Sequence, residues 1–599
     1  MFPRTRSPVP NPVQARDILP RLFQLWDNGL SRSATKGPAK IGVCVSGGPD
    51  SMALAYLLKQ VPNIESKLRI EPFAFIVNHN ARPGSHKEAK WVQHLLEKID
   101  IKSIILNMEW PETDDPARLP DFESHARESR YQLIAEAAIR RHIRHLFLGH
   151  HKDDQIETIL MRLLRNSTGS SLGLQGMPEE SGIPCCENIR GAHEMQSYER
   201  FPDWLRRYKD HVPRAIVRPL DTNLGKGVTM AYPSGLRLHR PLLPFSKKQL
   251  IDTCKTNDIA YVNDKTNHDP TLTLRNAIRH LRNNYNLPRA LQETSVLQLR
   301  DWAHQSAVAT VRRGTELLRM IKIRIFDLRS GMLMIGVPQE VVAACKNDPA
   351  AGANALARLT GVITPRSRED IPTLVPRSRL EEFLEKMQSS EPEVLNVQRV
   401  LLEKICSISD MPERESLWRL SRQPMRSAEV MLAKQNFPPE MKPVTVGEES
   451  PGIWTVAVDK EKGLWSKWIL WDHRYWVRVR TRNSATLSQI HIRPYHESDL
   501  EKFTRALEKE EKSNFHQILA QAAPGSSRYT LPVLTYQDKL SIFPTLNVMG
   551  PKSASKIRKS RLTHHPILEW EVCYKAIDQT IVDHQVKTIV WRNVQVQRH

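Results

Sequence analysis

The sequence predicts an α/β protein, in which a doubly wound parallel sheet is followed by a helical region and a small β-rich C-terminal domain. Short apolar runs alternate with helical stretches from Ile41 to about Arg289. Helical periodicity dominates between about 290 and 345 and returns at 350–358 and 378–388. After about residue 410, segments rich in Val and Trp alternate at period two, as in YWVRVR, which is typical of strands.

Four apolar runs in the first part each precede a helical stretch. The predicted strands are 41–45, 73–77, 102–108 and 145–150, and the predicted helices are 51–60, 86–99, 123–141 and 154–167. This alternation indicates βαβ units and a parallel sheet. Ligands of such sheets bind beyond the carboxyl ends of the strands. The segments SGGPDS, NHNAR and GHHKDD follow three of the strands, so we expect them to converge.

With 599 residues, the chain is too long for a single core. The predicted regions are a basic leader (1–37), the α/β domain (38–289) with an insertion (179–236), a helical middle region (290–410) and the β-rich domain (411–599).

The chain carries 87 Lys and Arg residues against 66 Asp and Glu residues, a net charge of +21. Such an excess indicates a polyanionic partner, most often nucleic acid, although many ribosome-associated and organellar proteins are basic without reading any sequence. The seven cysteines include no C-x-x-C pair, so neither a zinc ribbon nor a disulfide framework is indicated, and a reducing compartment fits. No apolar run reaches about 18 residues, so we expect no membrane span.

The first sixteen residues, MFPRTRSPVPNPVQAR, carry three arginines and no acidic residue. This composition is compatible with an organellar transit segment, although its prolines oppose an amphipathic helix. A disordered basic leader is the alternative. We expect a mitochondrial location, with the cytoplasm as the alternative.

The loop SGGPDS contains Ser46, Gly47, Gly48, Pro49, Asp50 and Ser51. It lacks the glycine spacing and the lysine of a P-loop, and it is not a dinucleotide fingerprint. Its glycines admit a phosphate close to the backbone, and the following helix offers its N-terminal amide groups. Asp50 can hold a magnesium ion that accompanies the phosphates. The alternative is an ordinary strand-to-helix turn, with Asp50 or Ser51 as a cap.

This loop resembles the SGGxDS loop of the ATP pyrophosphatases. Further segments, in the same order over about residues 38–285, resemble the bacterial tRNA(Ile)-lysidine synthases. They are VNHNARPGSHKEAKWV, ESHARESRY, GHHKDDQIETILMRLLRNSTGSSLGLQGM, HRPLLPFSKKQLIDTC and NDKTNHDPTLTLRNAIRHLR. The C-terminal half resembles that family weakly, through WDHRYWVRV and LPVL…SIFPTL.

The resemblance implies a PP-loop (adenine nucleotide alpha hydrolase-like) fold and an enzyme that uses ATP and Mg²⁺. Such an enzyme adenylates the wobble cytidine of an isoleucine tRNA with a CAU anticodon and releases pyrophosphate. The amine of free L-lysine then displaces AMP, which gives lysidine. The expected partners are therefore tRNA and lysine, without a membrane.

Asp154 and Glu157 lie three residues apart and share a helix face. Paired carboxylates suit holding a lysine ammonium group or a magnesium ion, and accepting a proton; helix capping and surface salt bridges are the alternative. Arg275 and Arg279 lie four apart, and their guanidinium groups suit an oxyanion in a transition state. A solvated basic face is the alternative there.

Four further residues are expected to contact the nucleotide: His79, Arg82, Arg127 and His151. Arg127 could instead form an i,i+4 pair with Glu123. The basic segments LRRYKDHVPRAIVR and PKSASKIRKSRL are expected to contact the tRNA backbone. Four aromatic residues could stack on bases or pack in the core of the β domain: Trp468, Trp471, Tyr475 and Trp476.

The chain departs from the family pattern at Asn78, where the family usually has Asp, at Asn80-Ala81, and at Asn166, where it has Gly. Two rival functions remain open. A tRNA thiolase of the same superfamily commonly uses a C-x-x-C pair, which is absent. A catalytically silent RNA-binding protein would have lost the carboxylates or the arginines, and both are present.

Overall fold

A computed structural model describes residues 11–27, 30, 37–81, 84–110, 121–165, 171–195, 228–233, 235–262, 271, 273–405, 415–443, 454–456, 458–459, 463–505, 509–537, 540–549, 567–578, 580–581, 588–590 and 595–597. The chain divides into two compact units. Unit 1 comprises Met1–His193 and Ser234–Ala309, and unit 2 comprises Glu194–Pro233 and Thr310–His599.

The described strands are β1 (Ala39–Val45), β2 (Ile70–Asn78), β3 (Lys102–Asn107), β4 (His145–Leu148), β5 (Glu180–Gly182), β6 (Glu194–Met195), β7 (Val228–Met230), β8 (Tyr232–Pro233), β9 (Arg237–His239), β10 (Lys322–Asp327), β11 (Met332–Pro338), β12 (Val394–Val397), β13 (Val400–Ile405), β14 (Glu415–Arg422), β15 (Gln435–Asn436), β16 (Met441–Pro443), β17 (Trp454–Val456), β18 (Val458–Asp459), β19 (Gly463–Trp465), β20 (Ile469–Trp471), β21 (Tyr475–Thr481), β22 (Ile490–Pro494), β23 (Pro532–Tyr536), β24 (Leu540–Phe543), β25 (Val548–Met549), β26 (Ile567–Tyr574), β27 (Thr588–Val590) and β28 (Gln595–Gln597).

The described α-helices are α1 (Ala15–Asp27), α2 (Pro49–Ile64), α3 (Ser85–Lys98), α4 (Phe122–Arg140), α5 (Lys152–Arg165), α6 (Lys247–Thr256), α7 (Leu274–Asn284), α8 (Glu293–Met320), α9 (Gln339–Asn347), α10 (Pro349–Gly361), α11 (Arg377–Gln388), α12 (Ser427–Leu432), α13 (Ser484–Leu487), α14 (Glu497–Thr504) and α15 (Lys509–Ala522). None of them combines the length and apolar character that a membrane span requires.

The sheet of unit 1 has the order β3-β2-β1-β4-β9-β5. Its pairs are parallel, as in the register of Val43 with Ala74 and with Phe147, except that β5 runs antiparallel to β9. The chain builds outward from β1 to β3 and then returns to place β4 on the other side of β1. Between β1 and β4 the connections therefore diverge, and a ligand crevice opens at their carboxyl ends. The predicted doubly wound parallel sheet is confirmed.

Apolar side chains cover both faces of this sheet. One core packs β1 and β2 against α1, α2, α3 and α6. The other core packs the opposite face against α4 and includes Tyr131, Ile134 and Leu238. The continuous apolar runs of the central strands follow from this two-sided burial, because neither face meets water.

Helix α1 lies within the segment that the sequence analysis assigns to a leader, and the structure differs there. Ile18 and Leu22 are buried in the core of unit 1, and the Val13 amide donates a hydrogen bond of 2.8 Å to Thr253 Oγ1. The periodic apolar side chains of this segment are thus core residues of unit 1. Residues 1–10 lie outside the described residues.

Unit 2 contains β-sheets as well as helices. Its larger sheets have the orders β12-β13-β14-β11-β10-β27-β28, β15-β22-β23-β24-β25 and β18-β19-β21-β26-β7. Within the region predicted as helical, helices α8 to α11 are present, but β10 and β11 form an antiparallel hairpin closed at Gly331, which has φ of +73°. The boundaries of the four predicted regions stay predictions.

The aromatic residues of β20 and β21 are core residues. Trp471, Tyr475 and Trp476 are fully buried, and Trp468 is half-buried against the cluster that contains Trp476. Core packing, rather than stacking on bases, is therefore the role of the three buried rings. The basic segments 205–218 and 551–562 lie outside the described residues.

Candidate active site

The loop from Ser46 to Ser51 joins β1 to α2 and is closed by its own hydrogen bonds. Ser51 Oγ accepts from the Ser46 amide at 3.2 Å and donates to the Gly48 carbonyl at 3.1 Å. Gly48 occupies the N-cap position and Pro49 the first turn, so no side chain caps α2. The alternative that Asp50 or Ser51 caps this helix is wrong. The start of α2 therefore offers backbone donors to an anion.

Two glycines allow the close approaches that shape this loop. Gly47 has φ of +86°, and a Cβ there would lie 2.5 Å from Val92 Cγ2. Gly149 follows β4, and a Cβ there would lie 3.0 Å from the carbonyl of Asp50. Both positions thus exclude a side chain: glycine at 47 lets the loop approach α3, and glycine at 149 lets the segment after β4 approach the start of α2.

His151 lies among three carboxylates after β4 and is only 2% exposed. Its Nε2 lies 3.5 Å from Asp50 Oδ2 and 3.4 Å from Asp154 Oδ2, and its Nδ1 lies 3.7 Å from Asp153 Oδ2. Burial lowers the pKa of His151, but the hydrogen bond that its ring donates to Asp50 and the surrounding negative charges outweigh burial and raise the pKa. His151 therefore joins the loop after β1 to helix α5. By contrast, burial lowers the pKa of the neighbouring His150 to about 4, so His150 is neutral.

The four predicted catalytic residues lie together. Arg279 donates from Nε to Glu157 Oε1 at 2.8 Å and from Nη2 to Oε2 at 2.9 Å, and Arg275 Nε lies 3.7 Å from Glu157 Oε2. Asp154 Oδ1 lies 4.0 Å from Arg279 Nη2. Burial raises the pKa of Asp154, but the charge of His151, the hydrogen bond from its backbone amide and the charge of Arg275 together lower the pKa by more, so the carboxyl is ionised.

Helix α7 brings these arginines to α5 for local reasons. Thr273 Oγ1 accepts from the Asn276 amide and so fixes the start of α7. Ile278, on the apolar side of the helix, packs into a cluster with Ile156 and Ile159 of α5. With this side anchored, the arginines at positions 275, 279 and 282 point toward the first two turns of α5.

The remaining predicted nucleotide contacts lie after β2 and on α4. The His79 carbonyl accepts from Trp110 Nε1 at 2.6 Å, and its ring nitrogen Nε2 lies 3.3 Å from Arg130 Nη2. Arg127 lies over the ring of Tyr131, 5.1 Å from its centroid. Arg82 and Asn166 lie outside the described residues. The nucleotide-binding roles of these residues stay predictions.

Comparison with known proteins agrees with this geometry. The profile of the PP-loop domain matches residues 21–199 and 226–284. A probable tRNA(Ile)-lysidine synthase of Schizosaccharomyces pombe is 28% identical over 530 residues, which cover 88% of this chain and 95% of that protein. The chain therefore contains a PP-loop domain and is similar to tRNA(Ile)-lysidine synthases over most of its length.

Bacterial members of the family match over shorter lengths. The tRNA(Ile)-lysidine synthase of Wolbachia sp. subsp. Brugia malayi is 38% identical over 146 residues, or 24% of this chain and 32% of that protein. That of Wolbachia pipientis wMel is 29% identical over 246 residues, or 41% and 43%. The chain thus spans less than half the length of these two relatives. A solved U34-tRNA thiolase, NcsA from Methanococcus maripaludis, aligns over 48% of this chain and 80% of its own, with 14% identity and a TM-score of 0.30, too low to carry an argument.

Sequence reasoning missed three residues in or beside this site. Lys247 Nζ lies 3.7 Å from Asp50 Oδ2, and Asp153 contacts both α6 and α7. Arg240 is buried and donates to the Pro178 carbonyl and to Ser181 Oγ. All three lie inside segments that resemble the tRNA(Ile)-lysidine synthases. This location was the only feature of the sequence that could have pointed to them.

The side chains at this site can be compared with those that bind magnesium in proteins. Among the described residues, no group of three or more His, Cys, Asp or Glu side chains is arranged to hold a metal ion. However, Asp50 Oδ1 is buried and has no hydrogen-bond partner in the described part of the chain. Magnesium commonly takes one or two carboxylates and completes its shell with phosphate oxygens and water. The donor set fits an ion that arrives with ATP.

Proposed function

We propose that this protein is an ATP-dependent tRNA(Ile)-lysidine synthetase, which joins lysine to the wobble cytidine of a CAU-anticodon isoleucine tRNA. The observation that carries the proposal is the cluster of Asp154, Glu157, Arg275 and Arg279, which His151 joins to Asp50 of the phosphate-binding loop. This arrangement sets an ATP-cleaving loop beside the acidic and basic groups that a second, amine-transfer step needs.

At the ATP end, the backbone donors of α2 and the hydroxyl groups of Ser46 and Ser51 would bind the phosphate chain. Lys247 supplies the cation that the loop itself lacks, since its Nζ lies at the Asp50 carboxylate. Asp50 would hold Mg²⁺, whose chemistry here is to neutralise phosphate charge during cleavage. In the first step, the cytidine C2 oxygen attacks the α-phosphate and pyrophosphate leaves.

At the amine end, the two carboxylates have different roles. Both oxygens of Glu157 accept from Arg279, so Glu157 orients that guanidinium group. Asp154 is ionised and is the better placed of the two to hold the lysine ammonium group and position it for deprotonation. In the second step, the lysine amine attacks C2, the bond from C2 to the oxygen of AMP breaks and AMP leaves, and Asp154 accepts the proton that the nitrogen loses. Arg275 and Arg279 face the negative charge that develops on the leaving phosphate.

A thiolase function is disfavoured by the thiols that adjoin the loop. Burial raises the pKa of Cys44 to about 12, and that of Cys254 likewise. Cys254 Sγ also donates to the Pro49 carbonyl at 3.4 Å. Both thiols are thus protonated at neutral pH, whereas sulfur transfer needs a thiolate.

The test uses the full chain, ATP, labelled lysine and a transcribed CAU-anticodon isoleucine tRNA. We expect label on the tRNA, dependent on ATP, and its loss in Asp154→Asn. The matched control is Asp258→Asn, an exposed aspartate with φ of +52°, a conformation that asparagine tolerates. Pyrophosphate release without label on the tRNA would contradict the proposal.

A mitochondrial location stays a prediction from the basic first sixteen residues. Fusion of residues 1–40 to a reporter tests it, and a reporter found only in the cytosol contradicts it. Because Ile18 and Leu22 are core residues, we expect α1 to be retained, which sequencing of the N-terminus of the imported protein measures.

A further inference from the structure

Asp153 is the second residue of α5 and contacts two other helices at once. Its Oδ2 accepts from the backbone amide of Lys247 at 2.9 Å, and its Oδ1 accepts from Arg282 Nη2 at 3.1 Å. Arg282 Nη1 lies 3.4 Å from the Asp153 carbonyl. One short side chain thus links the first turns of α5 and α6 to the last turn of α7.

The contact to Lys247 lies at the capped start of α6. Ser246 and Gln249 form a capping box, in which Gln249 Oε1 accepts from the Ser246 amide and Ser246 Oγ accepts from the Gln249 amide. The Lys247 amide is met by Asp153 from another helix instead. With its backbone held there, the Lys247 side chain extends to Asp50, where Nζ lies 3.7 Å from Oδ2.

The contact to Arg282 sets the orientation of α7. Positions 275, 279 and 282 are spaced so that their side chains share one helix face. Arg282 is 14% exposed and held at both the carboxylate and the carbonyl of Asp153. Fixing this third arginine prevents rotation of α7 that would withdraw Arg279 from Glu157.

An aspartate in a first turn also stabilises a helix through the helix dipole. If the helix dipole were the only role of Asp153, its carboxylate oxygens would not have to contact α6 and α7. The pKa of Asp153 agrees with these contacts to its carboxylate oxygens. Burial raises this pKa, but the Lys247 amide, His151 and Arg282 together lower it by more, so the net shift is downward.

We propose that Asp153 is a positioning residue of the reaction, which holds Lys247 at the phosphate-binding loop through α6 and Arg275 and Arg279 at the carboxylates through α7. The predicted effect of Asp153 on lysine incorporation rests on the proposed function, whereas its predicted effect on ATP affinity does not. Asp153 therefore has two effects that can be measured separately: its contact with α6 affects ATP binding, and its contact with α7 affects turnover.

The test compares Asp153→Asn with Asp258→Asn, and Arg282→Ala with Arg289→Ala, both controls being exposed. Calorimetry measures the affinity for ATP, and lysine incorporation into tRNA gives kcat and KM. We expect D153N to weaken ATP binding about tenfold and to lower kcat about tenfold or more, because small displacements of catalytic groups cost such factors. R282A should lower kcat similarly, with ATP affinity within about twofold of wild type, and Arg282→Lys should restore part of the loss.

The double variant D153N/R282A separates positioning through this contact from independent effects. Its kcat should be no lower than that of D153N, because one contact cannot be lost twice. D153N that binds ATP like D258N overturns the proposal, and so does R282A that turns over like R289A. If D153N fails to fold, the kcat values of R282A and R282K are compared instead, and equal values overturn the proposal. If wild type incorporates no lysine, the proposed function fails, and ATP affinity alone decides this proposal.

Discussion

Arg279 donates to both carboxylate oxygens of Glu157, at 2.8 and 2.9 Å, and Glu157 is only 1% exposed. A buried carboxylate depends on its partner, since an unpaired charge in the interior is strongly destabilising. This pair therefore serves both the stability of unit 1 and the placement of a guanidinium group at the site.

Arg279→Ala should abolish lysine incorporation and lower the free energy of unfolding by about 3 kcal/mol, because it leaves Glu157 buried without its main partner. Arg279→Ala combined with Glu157→Gln should recover most of the stability but none of the activity. Urea unfolding and the incorporation assay measure the two effects. A double variant as unstable as the single one would show that the unpaired charge is not the cause.

Gly47→Ala should destabilise the protein more than Gly84→Ala does. Both glycines have φ near +90°, but a Cβ at 47 would meet Val92, whereas a Cβ at 84 has open space. The shared backbone strain costs about 1–2 kcal/mol, and the clash at 47 adds about 1–3 kcal/mol. Thermal unfolding measures the difference, and equal losses would refute the close approach. ATP affinity should fall in Gly47→Ala alone.

Stability should fall as the pH is lowered from about 6.5 toward 4 because of His145 and His239. Their rings stack, with Nδ1 of the first 3.0 Å from Nε2 of the second. Burial, with Arg144 and Arg237 nearby, lowers the pKa of His145 to about 4, and burial, with His145, Arg237 and Arg240 nearby, lowers the pKa of His239 to about 3.

In that pH range the unfolded chain binds more protons than the folded one, so the free energy of unfolding drops by about 2 kcal/mol per histidine between pH 7 and 5. Urea unfolding at each pH measures it. His239→Gln keeps a neutral hydrogen-bonding group and should remove about half of the pH dependence. Equal slopes in the variant and in wild type would contradict the assignment.

Asn78→Asp should be tolerated within about 1 kcal/mol. Asn78 Nδ2 donates to Asn107 Oδ1 at 2.9 Å, and its Oδ1 accepts from the Asn80 amide at 3.1 Å. Rotation of the Asn107 amide would let it donate to an aspartate at 78. Asn78→Leu removes both contacts in a buried place and should cost about 1–3 kcal/mol. Equal costs of the two variants in thermal unfolding would rule out this compensation.

Much of the site could be predicted because the motifs carry it. Asp154 and Glu157 share a helix face by spacing alone, and the placement of GHHKDD and SGGPDS after strands of one parallel sheet predicts their convergence. That Arg279 pairs with Glu157 was not predicted, since nothing local to RNAIR indicates its partner.

The residues that were missed act through tertiary contacts that residue type does not encode. Asp153 meets a backbone amide of α6, and any residue could supply that amide. The hairpin of β10 and β11 was missed because the helical periodicity of α8 continues close to it, and the glycine that closes it looks like any surface turn. The segment Val13–Asp27 was assigned to a leader because its arginines and prolines obscure a buried apolar stripe.

The parallel pairing of β7 with β26 has a consequence for synthesis on the ribosome. Val228 pairs with Val572, so roughly 340 residues must be made before β7 meets its neighbour. At the usual rate of about 5–20 residues per second, this takes some tens of seconds. Unit 1 flanks β7 on both sides in the chain and is complete long before then. In the nascent protein, β7 thus lies between the two segments of unit 1 without its partner strand until β26 has been made. We expect chaperones to bind the chain during this interval.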